Sequence, residues 1–259
     1  MTTLLMTGTI DAGYFGNVST KVTDTEERKQ QYYQTIEKYI RETKFDNIVF
    51  AENSHYPFDA ERFVNLASDY QKRFEYVEVD TNIEKTQLKG KSYGEACLIA
   101  QAVQNSEIFK EGIQVFYKVT GRVFVRNINQ LINEKMENLF ITHNIYNSCL
   151  TVFFKMRVDT FKKCLLDAEN SCNEFDGKNF IEAVYYKKLV GENIKCFKRY
   201  PDLSGIIGGS GQRYDRNKRN LFLKNILIKL GYYSYGKGNI RSWKKIEKME
   251  IIVSQLLKN

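Results

Sequence analysis

Between Lys118 and Arg122 the chain sets two cations, a hydroxyl and a glycine, Lys-Val-Thr-Gly-Arg, inside a run of aromatic and β-branched residues. The whole run, 115–125, otherwise reads as one buried strand. If residues 115–118 are extended and the chain turns at Gly121, both cations reach one side, where they suit a diphosphate. The arginine can then hold it through two parallel N–H bonds. The same charges would also guard an edge strand against pairing with another chain, and spacing alone does not separate the two readings. Glu182, in "NFIEAVYYKKLV", is a second signal. On a helix among aromatics its carboxyl would be lifted toward the range of a general base; alternatively it is a solvated acid near Lys187. Glu95 and the amides around Ser92 open the helix of "KGKSYGEACLI". A carboxylate there is also favoured simply by the helix dipole.

Several other chemistries lack their residues. There is no GxGxxG after the first strand, no GxxxxGK[ST] and no GxSxG elbow. Two histidines, His55 and His143, cannot build a His-rich metal site. The five cysteines form no CxxC pair and read as reduced thiols of a cytosolic protein. The amino terminus lacks a basic n-region, and no apolar run approaches about 18 residues, so neither a signal peptide nor a membrane span is expected.

The elements that must position these groups follow from periodicity. In 259 residues there is room for one large domain, or a domain with an appendage. "TLLMTGTI", "NIVFAENS", "FEYVEVD" and 115–125 read as strands. Between them, "TEERKQQYYQTIEKYIRET", "DAERFVNLASDYQKR" and "GKSYGEACLIAQAVQNSEIF" read as helices. That alternation predicts an α/β fold, a mostly parallel sheet flanked by helices. Ligands of such sheets sit at the carboxyl ends of the strands. Those ends carry Thr7, Gly8 and Thr9; Glu52, Asn53 and Ser54; Asp80; and Lys118 to Arg122.

Beyond 127 the pattern changes. "NLFITHN" and "CLTVFFKMRVDTF" read as further strands of the same sheet, and "TFKKCLLDAEN" and "KNFIEAVYYKKLV" as helices. "SGIIGGSGQRYDRNKRN" is the one strong loop signal. The net charge of +8 is concentrated after it: residues 213–248 hold eleven Lys and Arg against two acids, so the rest of the chain is close to neutral. Apolar residues interleave this basic tail, which fits an anionic membrane surface or a nucleic-acid backbone, or is a solvated helix face.

The ordered set "TGTID", "IVFAENS", "GKSYGEACLIAQAV", "FYKVTGRVFVRN", "IEAVYYKKL" and "SGIIGGSGQRYD" resembles bacterial glycosyltransferases of the GT-A type that build capsular polysaccharide and lipopolysaccharide O-antigen. The K-x-TGR stretch with the following Asn127 is its most specific part, and the resemblance spans about residues 2–214. It implies a GT-A-like, Rossmann-like catalytic domain over 1–205, with a donor-binding half 1–127 and an acceptor half 128–205. A flexible glycine-rich loop and a basic amphipathic helical tail follow over 206–259. It further implies transfer of a sugar from a nucleotide-sugar donor to a lipid-linked oligosaccharide. Thr7, Gly8 and Thr9 would then lie near the nucleotide, Glu52, Asn53 and Ser54 near base or ribose, and Lys91 and Glu95 near the donor.

Lys118, Thr120, Gly121 and Arg122 occupy the place where many GT-A enzymes carry Asp-x-Asp, and this chain has no such motif there. Lys118 and Arg122 would do the electrostatic work of a divalent cation, so metal-independent transfer is expected, with no cofactor required. Inverting displacement needs one carboxylate base: Glu182 is the first candidate and Asp159 the second. Arg213 would add charge near phosphate when the "GGSGQRYD" loop closes. The basic tail would hold the protein on the cytoplasmic face of the membrane that carries the acceptor. Two rival readings are a basic nucleic-acid-binding protein, recognised by salt-dependent RNA binding, and a nucleotidyltransferase, which needs a carboxylate cluster that the sequence does not display.

Overall fold

Short polar side chains lock the helix starts of the first half. Asp24, Asp59 and Asn82 accept hydrogen bonds from the amides of Glu27, Arg62 and Lys85, and so begin α1 (Thr25–Glu42), α2 (Ala60–Asp69) and α3 (Ile83–Lys89). The runs before each helix are the strands β1 (Thr3–Gly8), β2 (Asn47–Glu52) and β3 (Arg73–Glu78). Gly90 ends α3 and starts α4 (Lys91–Asn105) at φ 85°, and a Cβ there would stand 2.6 Å from Glu174 Oε2. The chain continues through α5 (Glu107–Lys110), β4 (Val115–Thr120), β5 (Val123–Val125), α6 (Ile128–Leu131), β6 (Thr142–His143), β7 (Ser148–Cys149), β8 (Phe153–Arg157) and α7 (Val158–Cys164). The last elements are α8 (Ile181–Lys188), β9 (Leu203–Gly205) and α9 (Lys218–Lys229). This computed structural model describes residues 1–16, 24–207, 211–214 and 218–235.

The central sheet runs β3-β2-β1-β4-β8, parallel except for the antiparallel edge strand β8. Alternation along the strands fills both faces. Leu4, Met6, Ile48, Phe50, Tyr117 and Val119 pack with Tyr33, Ile36 and Tyr39 of α1 and Phe63 of α2. Leu5, Val49, Ala51, Phe116 and Phe154 pack with Ala96, Ile99 and Val103 of α4 and with Val184 and Tyr185 of α8. Register aligns Thr7 with Ala51 and Thr120, and Gly8 with Glu52, so the carboxyl ends finish level. The order steps from β1 outward to β3, then returns to β4 on the other side of β1. A crevice must open where these connections part, between the ends of β1 and β4.

The α/β class and mostly parallel sheet are as expected, and β8 joins residues beyond 127 to the same sheet. The single strand read over 115–125 is instead two. The chain turns at Gly121 and Arg122, and β5 leaves the sheet to pair with β9. Gly121 donates its amide to Thr7 O at 2.8 Å, and a Cβ there would stand 2.9 Å from that carbonyl oxygen, so only glycine closes this turn against β1. The helix read over 90–109 breaks at Ser106, whose hydroxyl caps α5, while α3 went unforeseen. Of "NLFITHN" only Thr142–His143 is strand.

Part of the segment assigned to the tail lies on the core. Tyr233 is completely buried, its carbonyl accepts from both the amide and the hydroxyl of Thr142, and Leu227 of α9 joins the same cluster. The remainder of the basic tail, 236–259, and loop residues 208–210 and 215–217 lie outside the described residues. Among the described residues no helix is long and apolar enough to cross a membrane.

Candidate functional site

A cavity of about 320 Å³ occupies the crevice. Thr7, Gly8 and Thr9 from the end of β1, Asn53 just past β2, and Thr120 and Arg122 from β4 and its turn line it, together with Lys91, Glu95 and Glu182. Nine residues singled out in the sequence therefore meet in one place, although they span 175 positions from Thr7 to Glu182.

One wall is cationic. Arg122 is 6% exposed, its guanidinium lies over the Tyr32 ring with Cζ 5.8 Å from the centroid, and it donates to Gln31 Oε1 at 2.9 Å. Among the described residues its Nε is buried without a hydrogen-bond partner. Such an orphaned donor on a cavity wall fits an anionic ligand. Beside it, Arg28 of α1 also lines the cavity and donates from Nε to Ile10 O at 2.8 Å and from Nη2 to Thr9 O. Burial lowers the Arg28 pKa from its ordinary value; Tyr32 opposes this and the Arg122 charge adds to it. Two guanidinium groups close enough to repel are stabilised by an anion between them.

The opposite wall belongs to α4 and α8 and carries carboxylates. Glu182 sits on the first turn of α8 and accepts from the Thr151 hydroxyl at 3.2 Å. Burial raises its carboxyl above the ordinary range; the charge of Glu95 also raises it, and the Thr151 hydrogen bond and Lys118 work against the shift. A desolvated carboxyl of this kind is suited to accept a proton. Lys91 lines the cavity while lying 3.4 Å from Glu174, and Glu95 is engaged by Lys118 at 2.5 Å.

Other expected site residues stand elsewhere. Lys118 has no exposed surface and does not reach the cavity, because residue alternation along β4 turns it inward beside Phe116, under α4. Asp159 lies at the start of α7 after the antiparallel β8, hence at the amino edge of the parallel strands and the wrong end of the sheet. Arg157 bonds hold its carboxyl down to about 2, the opposite of what a general base needs. Asn127 spends its amide on Tyr200 O and the Asp202 amide, fixing β5 to β9. Glu52 and Ser54 are buried below the cavity, where the Glu52 carboxylate accepts from the amides of Ile10 and Ser54 and shapes the loop after β1. Gly121 acts through its turn, and Arg213 stands next to the lining residue Tyr214 without lining the cavity itself. Asp80, another strand-end acid, is exposed and pairs with His55 at 3.1 Å.

Arg28, Gln31, Tyr32 and Thr151 were not anticipated. Arg28, Tyr32, Ile36 and Tyr39 follow helical spacing on one stripe, so an arginine shares the buried face of α1, and that was the available signal. Thr151 carries no comparable mark: a hydroxyl before "VFF" is ordinary in a strand.

Among the described residues no three His, Cys, Asp or Glu side chains group closely enough to hold an ion.

No known family's sequence profile matches this chain, and no curated protein matches it in sequence. Solved structures do match. One, named as a nucleotide-diphospho-sugar transferase from Desulfovibrio desulfuricans G20, is 11% identical over 73% of this chain and 76% of its own, with a TM-score of 0.41. Another, named as a glucose-1-phosphate thymidylyltransferase from Bacillus anthracis and solved with sucrose, is 13% identical over 92% of this chain and 97% of its own, with a TM-score of 0.43. The fold class rests on the strand order and register described above.

Proposed function

We propose that this protein is a glycosyltransferase that uses a nucleotide-sugar donor. The observation that carries the reading is the composition of one cavity: Arg28 and Arg122 on one wall, the buried carboxyl of Glu182 on the other. In the reaction, an acceptor hydroxyl oxygen bonds to the anomeric carbon as the bond from that carbon to the diphosphate oxygen breaks. The hydroxyl proton passes to Glu182, and the nucleoside diphosphate leaves with the bonding electrons. Arg28 and Arg122 stabilise the charge that develops on it, the work a divalent ion would otherwise do. One carboxylate base opposite the leaving group corresponds to a single displacement with inversion. The donor nucleotide lies along Thr7 to Thr9 and Asn53, and Thr120 and Lys91 complete its surroundings.

The acceptor in this reading is a lipid-linked oligosaccharide of a bacterial surface polysaccharide, reached from the cytoplasmic face of the membrane. A feature that supports it is α9 and the residue after it, where Phe222, Ile226 and Leu230 are exposed at four-residue spacing and Lys218, Arg219 and Lys229 are exposed around them. An apolar stripe with a basic border suits an anionic lipid surface.

Thermal shift with a panel of nucleoside diphosphates and nucleotide sugars, with and without magnesium or manganese, tests the proposal. A rise in Tm with a particular nucleoside diphosphate and its sugar ester, undiminished by a chelator, is expected. No rise with any of them removes the donor site, and a rise that needs the metal removes the assignment of diphosphate charge to the arginines alone.

A further inference from the structure

Alternation along β4 gives Phe116 and Lys118 the same face. Phe116 meets Phe109, Phe154 and Phe161 of the core, whereas two residues on an ammonium group occupies a position of the same kind. A lysine without exposed surface is costly unless every donor is met. Nζ has three, and three acceptors surround it: Glu95 Oε1 at 2.5 Å, Thr151 O at 2.9 Å and the Thr120 hydroxyl at 3.2 Å. The ammonium cannot touch a ligand in the cavity, yet each of its three partners lines that cavity.

Among the described residues, two carboxylates, Glu95 and Glu182, line the cavity, and either could compete for a proton released there. Lys118 treats them unequally. It bonds Glu95 directly, but meets Glu182 only through Thr151, whose carbonyl accepts from Lys118 while its hydroxyl donates to Glu182. Coulomb attraction falls with distance, so the cation acts most strongly on Glu95.

We propose that Lys118 is a positioning residue that clamps Glu95 and Thr151 beneath the cavity, removing Glu95 from proton transfer and leaving Glu182 as the acceptor. The inference rests on the reading of Glu182 as the base. The groups around Glu182 agree with it. Glu95 comes from α4, Lys118 from β4, Cys149 from β7 and Cys172 from the chain just past 168–171, while Lys91 of α4 shares the cavity lining with Glu182. Burial accounts first for the raised carboxyl of Glu182, the Glu95 charge reinforces it, and Lys118 opposes it. The two members of the clamp thus push Glu182 in opposite directions.

Carboxyl carbon-13 NMR of the full chain labelled at glutamate, titrated with pH, reads this without any substrate. The resonance absent from Glu182→Gln identifies the group. It is expected to titrate above the ordinary glutamate range, to fall in Glu95→Gln, and to keep its wild-type midpoint in Lys118→Arg. Removing Lys118 alone leaves the partly exposed carboxylate of Glu95 without its cation, so Lys118→Met is combined with Glu95→Gln, which removes both charges together. The Glu182 midpoint in that double variant is expected above that in Glu95→Gln, with pyrophosphate affinity unchanged in calorimetry. An equal midpoint in the two variants, or a loss of pyrophosphate affinity, overturns the positioning role. A Glu182 that titrates in the ordinary range in the wild type instead overturns the base assignment, so the two failures are distinct.

Discussion

Replacing Arg122 with methionine keeps most of the buried stem and removes every donor. Within the protein the change sacrifices one hydrogen bond, to Gln31, worth about 1 kcal/mol, which corresponds to a Tm lower by about 2–4 °C. Toward a ligand the loss is larger. Nη1 is engaged by Gln31 and Nε has no partner among the described residues, so Nε and Nη2 are the donors assigned to an anion. Two charge-assisted bonds of about 1.5–3 kcal/mol each, at the low end for an open cavity, total about 3 kcal/mol, or roughly a 100-fold weaker Kd for diphosphate. Arg122→Lys preserves the charge but not the fork, and about a tenfold loss is expected. Calorimetric titration with inorganic pyrophosphate and with the stabilising nucleoside diphosphate measures both. Wild-type affinity in Arg122→Met would refute the reasoning, because the donors removed are the ones assigned to the diphosphate.

Three further outcomes follow from the same geometry. Glu182→Gln is expected to bind donor normally and to lose transfer. Because the folded carboxyl is raised, its favourable contribution is present below the unfolded pKa and lost as pH rises through the folded pKa, so the variant should gain Tm over wild type at neutral pH and match it in acid. Gly121→Ala drives a methyl against Thr7 O and Tyr32, each 2.9 Å away, and overpacking of about 1–3 kcal/mol predicts a Tm lower by roughly 3–10 °C in calorimetry. Phe222→Glu with Leu230→Glu, both at exposed positions, should abolish flotation with anionic liposomes without lowering Tm; unchanged flotation removes α9 from the membrane contact.

Apart from α3, the strand and helix order of the first half was legible because each segment repeats its own period. Breaks inside apolar runs were not. Gly121 made a turn within 115–125 possible, but what requires it is the approach of Thr7 from another strand. Cationic residues were legible as a group, but their division was hidden. Lys118 and Arg122 differ by four positions, and the turn between them sends one into the core and the other to the cavity.

Residue types and their order fixed an α/β chain with polar groups at the strand ends, because hydrophobic period and capping act within a few residues. Which polar groups share a cavity is a question of register and crossover, and only the folded sheet answers it. Level ends of β1 and β4 bring Thr7 beside Thr120, the packing of α1 carries Arg28 to Arg122, and α8 returns Glu182 from far along the chain. The reversed direction of β8 removes Asp159 to the far edge. Burial of Lys118 beneath Glu95 turns an expected ligand contact into a support for the site, a distinction that depends on what α4 places over β4.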